Sequence, residues 1–146
     1  MLEKLLKIGR DSNSKVKRKF INWFIRRYYA CEIDCASKIS DSVKFPHNGF
    51  GVVVSPYSEI GDNVSIFPGS KLVVTGGVDY APVVEKNVII GANATIVEKI
   101  TIGENSIIAA GAVVTKNVPN DSTVYGINKI CPSKEATAKV LHNNNR

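Results

Sequence analysis

Aliphatic residues recur along this chain at a period that fits neither a helix nor a simple strand. They fall at Val54, Ile60, Ile66 and Leu72, and again at Val84, Ile90, Ile96, Ile102, Ile108 and Val114. Every step is six residues except the one from Leu72 to Val84, which is twelve, skipping a single repeat in phase. Four residues beyond most of these come small or branched side chains: Ser58, Val64, Ser70, Val88, Ala94, Ile100, Ser106, Ala112 and Val118. Ile33, Ile39 and Phe45 carry the pattern upstream. A helix would repeat at 3.6 and an alternating strand at 2. A period of six fits short strands laid around a triangular prism, one face per hexapeptide, with about eighteen residues per coil. The key aliphatic points inward and the fourth residue after it packs beside it. Stacked coils pair in parallel ladders, because no coil buries its apolar face alone. The fold class is therefore all-β, a parallel β-helix over residues 31–130 in about five coils.

Residues 1–30 follow a different rule. Lys15 to Tyr29 sets Phe20, Ile21, Phe24, Ile25 and Tyr28 at helical spacing among Lys17, Arg18, Lys19, Arg26 and Arg27, which predicts a basic amphipathic helix. A looser helix is expected over Met1 to Ile8, with Asp11-Ser-Asn-Ser14 as the break and N-cap. Two roles stay open for the longer helix. Its stripe docks on the body or on a neighbouring subunit, or residues 15–29 make peripheral contact with an anionic membrane. Residues 131–146 form a short C-terminal tail.

Charge sharpens this division. The net charge of +6 is concentrated at the N-terminus: residues 1–30 carry +7 and the remainder −1. A surface built for nucleic acid is not expected. No apolar run approaches the roughly 18 residues of a membrane span. Met1 to Lys7 lacks a cleavable signal pattern, so the expected location is cytoplasmic, with the inner membrane face as the one peripheral alternative. Cys31, Cys35 and Cys131 are too few and too irregular for a disulfide framework or a zinc site, and no metal is expected.

Two places break the six-residue rhythm, and departures from a regular scaffold are where function is grafted. Between Phe45 and Val54 three residues are inserted, around Pro46-His47-Asn48-Gly49. Between Leu72 and Val84 lies the glycine-rich Thr75-Gly76-Gly77-Val78-Asp79-Tyr80. His47 is the one histidine of the repeat region, since His142 lies in the tail. Alone it reads as an ordinary polar residue, and the bulge it occupies is what marks it. As a catalyst, an imidazole with a reference pKa of about 6.5 can take the proton of an attacking hydroxyl. It then needs a carboxylate on its other nitrogen. Glu32 lies fifteen residues upstream, nearly one coil, and Asp34 is the rival.

Ile60-Gly-Asp-Asn-Val-Ser and Ile90-Gly-Ala-Asn-Ala-Thr resemble the hexapeptide-repeat acyltransferases, over about residues 31–130. The branch most similar is that of serine acetyltransferases and the short sugar O-acetyltransferases. The resemblance implies a left-handed helix, a homotrimer, and acetyl-CoA bound between neighbouring prisms as co-substrate. His47-Asn-Gly-Phe-Gly matches the setting of that branch's catalytic histidine, and Glu32 matches its acidic partner, usually Asp. By the same matching, Thr75, Gly76, Ala92 and Ala110 would line the coenzyme's arm, and Lys129 would lie near its phosphates. The acceptor side departs from serine acetyltransferase. Pro46 stands where an Asp precedes the histidine, and Tyr80-Ala81-Pro82 where an Arg-His pair precedes the proline. Asn48 and Tyr80 could instead hold a sugar. The expectation is thus an O-acetyltransferase acting on a sugar of surface-polysaccharide or lipopolysaccharide synthesis. Serine O-acetylation is the alternative within the class, and a non-catalytic β-helix scaffold the alternative outside it. A three-histidine carbonic anhydrase is excluded by the single repeat histidine. A nucleotidyltransferase would need a βα domain ahead of the repeat.

Overall fold

The computed structural model describes residues 1–74 and 81–133, and its strands are numbered in chain order. Fourteen short strands among these residues form three sheets, one per prism face. The first face stacks β1 (Glu32–Ile33), β3 (Val53–Val54), β6 (Lys71–Val73), β9 (Thr95–Val97) and β12 (Val113–Val114). The second stacks β2 (Lys38–Ile39), β4 (Glu59–Ile60), β7 (Val83–Val84) and β10 (Thr101–Ile102). The third stacks β5 (Ser65–Ile66), β8 (Ile89–Ile90), β11 (Ile107–Ile108) and β13 (Ser122–Tyr125), then β14 (Lys129–Pro132). All pairings are parallel except β13 with β14. This is the parallel β-helix expected from the period, with the left hand that the resemblance implied.

The registers reproduce the sequence phase. Ile33, Val54, Leu72, Ile96 and Val114 stack on the first face. Ile39, Ile60, Val84 and Ile102 stack on the second, and Ile66, Ile90, Ile108 and Val124 on the third. All are buried, each worth roughly 1.5–3 kcal/mol in apolar transfer. The nine small or branched residues are buried beside them, and Ser70 and Ser106 bond to backbone carbonyls there.

The ladders make about four turns where about five were expected: the second face holds four strands, the first five, and the third four parallel strands with the antiparallel β14 beside them. Leu72 lies on the first face and Val84 on the second, so the twelve-residue step skips no face. The three residues inserted before β3 and the terminal hairpin use chain without adding a layer. At the corner between the second and third faces, Asn63, Asn87, Asn105 and Asp121 take positive φ. Their side chains form a ladder, Asn87 Nδ2 donating to Asn105 Oδ1 at 3.1 Å and Asn105 Nδ2 to Asp121 Oδ1 at 3.0 Å.

Two helices close the open end of the first coil. α1 (Leu2–Arg10) and α2 (Lys15–Tyr29) bury Leu2, Leu6, Ile21, Ile25 and Tyr29 in one cluster with Ile33, Ile39, Val43 and Phe45. Ser14 caps α2, its Oγ accepting from Lys17 N at 3.3 Å. Glu3 Oε1 accepts from Phe45 N at 3.0 Å, and Lys7 and Arg10 both bond Asp41. Docking on the body is therefore real, but the expected stripe is shifted. Ile21, Ile25 and Tyr29 face inward, while Phe20 and Tyr28 face solvent and Phe24 is half-buried. The spacing i, i+4, i+8 of the buried set is helical, and α1 selects which of the two apolar rows it covers. No helix among the described residues is long and apolar enough to cross a membrane.

Candidate active site

The corner between the third and first faces collects four of the expected site residues, His47, Asn48, Ala92 and Ala110. A chain climbing the prism here must turn left-handed once per coil, and Gly51, Gly69, Asn93 and Gly111 do so with φ between 58° and 73°. Ala30, the αL residue that ends α2 at φ 51°, enters the same corner in the first coil. Gly69 N donates to Phe50 O at 2.9 Å, Asn93 N to Pro68 O at 3.0 Å and Gly111 N to Ala92 O at 2.8 Å. These bonds stack Phe50, Pro68, Ala92 and Ala110 along one prism edge. Small residues leave its lower part open, and a Cβ added at Gly111 would meet nothing within 4 Å. Below Ala112, Val113 N donates to Gly126 O at 2.8 Å, which brings the β13–β14 turn to the foot of the edge. Exposed Lys129 lies there, opposite Tyr125 in the hairpin.

At the upper end of this edge sits the inserted turn Pro46–Gly49. His47 (φ 53°, ψ 33°) and Asn48 (φ 56°, ψ 29°) are both left-handed, and Gly49 follows at φ 63°. Three consecutive αL residues are unusual, since for a residue with a Cβ this region costs roughly 1–2 kcal/mol. Gly49 is buried, and a Cβ there would lie 2.8 Å from Leu2 Cδ2, so α1 clamps the base of the turn. His47 and Asn48 are thereby held exposed at the surface. Strain of this kind concentrates at functional positions.

The two acids lie elsewhere. Glu32 starts β1 just past the corner, its N–H bonded to Val52 O at 2.8 Å. Its Oε1 accepts from Arg26 of α2 at 2.7 Å, and no hydrogen bond joins it to His47. Asp34 lies at the following corner, where Oδ1 accepts from Asn22 Nδ2 at 3.1 Å and Ala36 N at 2.8 Å. Thr75, Gly76 and Tyr80 fall outside the described residues. The contact of Arg26 with Glu32 was not legible in the sequence, because it depends on how α2 sits on the first coil. Cys31, beside Glu32, is buried, which pushes its thiol up to about 11 and leaves it inert near neutral pH.

Comparison with known proteins agrees with this architecture. The family described as bacterial transferase hexapeptide (six repeats) matches residues 81–116. The serine acetyltransferase of Bacillus subtilis is 36% identical over 127 residues, covering 81% of this chain and 58% of that protein. That of Mycobacterium tuberculosis is 42% identical over 85 residues, 57% of this chain and 37% of its own length. Among solved structures, a serine acetyltransferase in complex with cysteine superposes with a TM-score of 0.82 at 30% identity, covering 89% of this chain and 56% of that one. The Neisseria gonorrhoeae serine acetyltransferase in complex with serine gives 0.79 at 29% identity, covering 90% and 55%. This chain belongs to the hexapeptide-repeat acyltransferase superfamily and is serine acetyltransferase-like. It spans about half the length of the curated relatives it matches.

Proposed function

We propose that the chain is an acetyl-CoA-dependent O-acetyltransferase with His47 as general base. The observation that carries this reading is the strained, exposed His47 turn at the head of an edge that runs past Ala92 and Ala110. With coils about 4.8 Å apart, the four steps between the five layers from Phe50 to Tyr125 span about 19 Å. That is a suitable length for an extended pantetheine arm, with Lys129 at its far end for the phosphates. His47 takes the acceptor's hydroxyl proton as its oxygen attacks the thioester carbonyl. The C–S bond then breaks, and the imidazolium returns the proton to the departing coenzyme thiolate. Glu32 is the candidate orienter of the imidazole. Its pair with Arg26 is solvent-exposed on both sides, with side-chain exposures of 69% and 61%. Such pairs are worth about 0–1 kcal/mol, so the carboxylate is readily released to His47. Thr75 and Gly76 on the donor side, and Asn48 and Tyr80 on the acceptor side, complete the proposed site. A second copy would supply the facing wall, in a homotrimer.

For the acceptor, the relatives favour serine over the sugar expected from the sequence. A second reading keeps the sugar, because Pro46 provides no carboxylate before His47 and Ala81 no cation before Pro82. A thiol-release assay with acetyl-CoA against serine, simple sugars and nucleotide sugars decides between them. Turnover with serine at rates far above the sugars supports the first reading. The reverse order supports the second, and no turnover with any hydroxyl acceptor refutes both.

A further inference from the structure

We propose that the outward face of α2 docks on an anionic lipid bilayer. Once Ile21, Ile25 and Tyr29 are committed to the prism, the opposite side of the helix still carries Val16, Phe20 and Trp23, with Tyr28 at its margin. Their exposures are 78%, 63%, 60% and 68%. Val16, Phe20 and Trp23 follow the spacing i, i+4, i+7, so they form one row along the helix. Phe20 and Trp23 lie with ring centroids 5.8 Å apart. Rings of this kind have no reason to face water on a helix already docked by its other side.

Charge identifies the partner. Residues 12–31 contain no Asp or Glu. Elsewhere some cations find acids, Lys7 and Arg10 on Asp41, Lys38 on Glu59 and Lys86 on Glu104, and the others are scattered singly along the chain rather than gathered on one helix. Along α2 only Arg26 does, with Glu32. Among the described residues Lys15, Lys17, Lys19 and Arg27 have no ion pair, and they flank or interrupt the aromatic row. Aromatics at the centre with unpaired cations beside them suit a helix lying in the headgroup layer of a negative membrane. A self-complementary contact with a second copy would set the same cations against each other, which charge complementarity opposes. The face lies on the helical cap over the first coil, so docking leaves the edge below His47 open to solution.

Trp23 is the only tryptophan of the chain, so fluorescence reads this face alone. The full chain is titrated with vesicles of phosphatidylcholine containing about 30% phosphatidylserine, and with vesicles of phosphatidylcholine only. A blue-shifted emission and co-sedimentation are expected with the anionic vesicles, and release at about 1 M salt, where charges are screened within ~3 Å. The triple variant Lys15→Gln, Lys19→Gln, Arg27→Gln should lower the partition coefficient about a hundred-fold. Phe20→Ser should weaken it while leaving the melting temperature unchanged. Emission unmoved by anionic vesicles overturns the proposal, as does equal binding to neutral ones. Emission already blue-shifted and shielded from acrylamide without lipid also overturns it, and assigns the face to a second copy. None of these readouts involves acetyl transfer, so they stand or fall separately from the catalytic reading.

Discussion

Replacing His47 by glycine separates catalysis from folding in a single variant. His47 sits at φ 53°, ψ 33°, a conformation that costs a residue with a Cβ roughly 1–2 kcal/mol. Glycine removes that cost but adds about 0.5–1 kcal/mol of backbone entropy to the unfolded chain. The imidazole is exposed and no hydrogen bond holds it among the described residues, so its loss forfeits little packing. The balance is a gain of about 0–1.5 kcal/mol, which for a chain of this size raises Tm by up to about 5 °C. His47→Ala keeps the backbone cost and should melt at or slightly below the wild type. Both variants should lose roughly 10²–10⁴-fold in kcat, the ordinary worth of a positioned acid–base group. Melting followed by circular dichroism, and initial rates of thiol release from acetyl-CoA, test the two halves independently. A His47→Gly enzyme with wild-type kcat refutes the assignment of His47 as the general base. A Tm well below that of His47→Ala refutes the account of strain.

Three further outcomes are expected. Gly91 packs so closely on the next coil that a Cβ would lie 2.6 Å from Ala110 N, so Gly91→Ala should cost about 1–3 kcal/mol; an unchanged Tm would show the coil spacing to be soft. The Asp41 carboxyl is held below its ordinary 3.8 by the Lys7 bond. Glu3 is raised by burial but held net below its ordinary 4.5 by bonds from its own N–H, Phe45 N–H and the α-ammonium. Acids depressed on folding contribute stability above those ordinary values and lose it as pH falls through the folded ones; Tm should therefore drop more steeply below about pH 4 than in the Asp41→Asn, Glu3→Gln double variant, and equal slopes would exclude this anchor. The proposed shared groove requires a homotrimer in light scattering, and a monomer with full acetyltransferase activity would exclude it.

The six-residue period in the sequence determined the prism, because a side chain's direction in a short strand is local. Ile90 or Val114 faces inward whatever the rest of the chain does, and each then stacks on its counterpart one coil away. The same locality made the His47 turn visible, as three residues too many between Phe45 and Val54. The number of coils was less legible, since a surplus of six residues between Leu72 and Val84 looks the same whether it forms a face or leaves the prism. Tertiary contact decided the rest. Which apolar row of α2 is buried depends on α1 and the first coil, and either Phe20 or Ile21 satisfies the helical period equally well. The Arg26–Glu32 pair depends on the angle at which α2 meets β1. The edge joining His47, Ala92, Ala110 and Lys129 exists only because coils stack, bringing together residues that stand up to eighty-two positions apart in the chain.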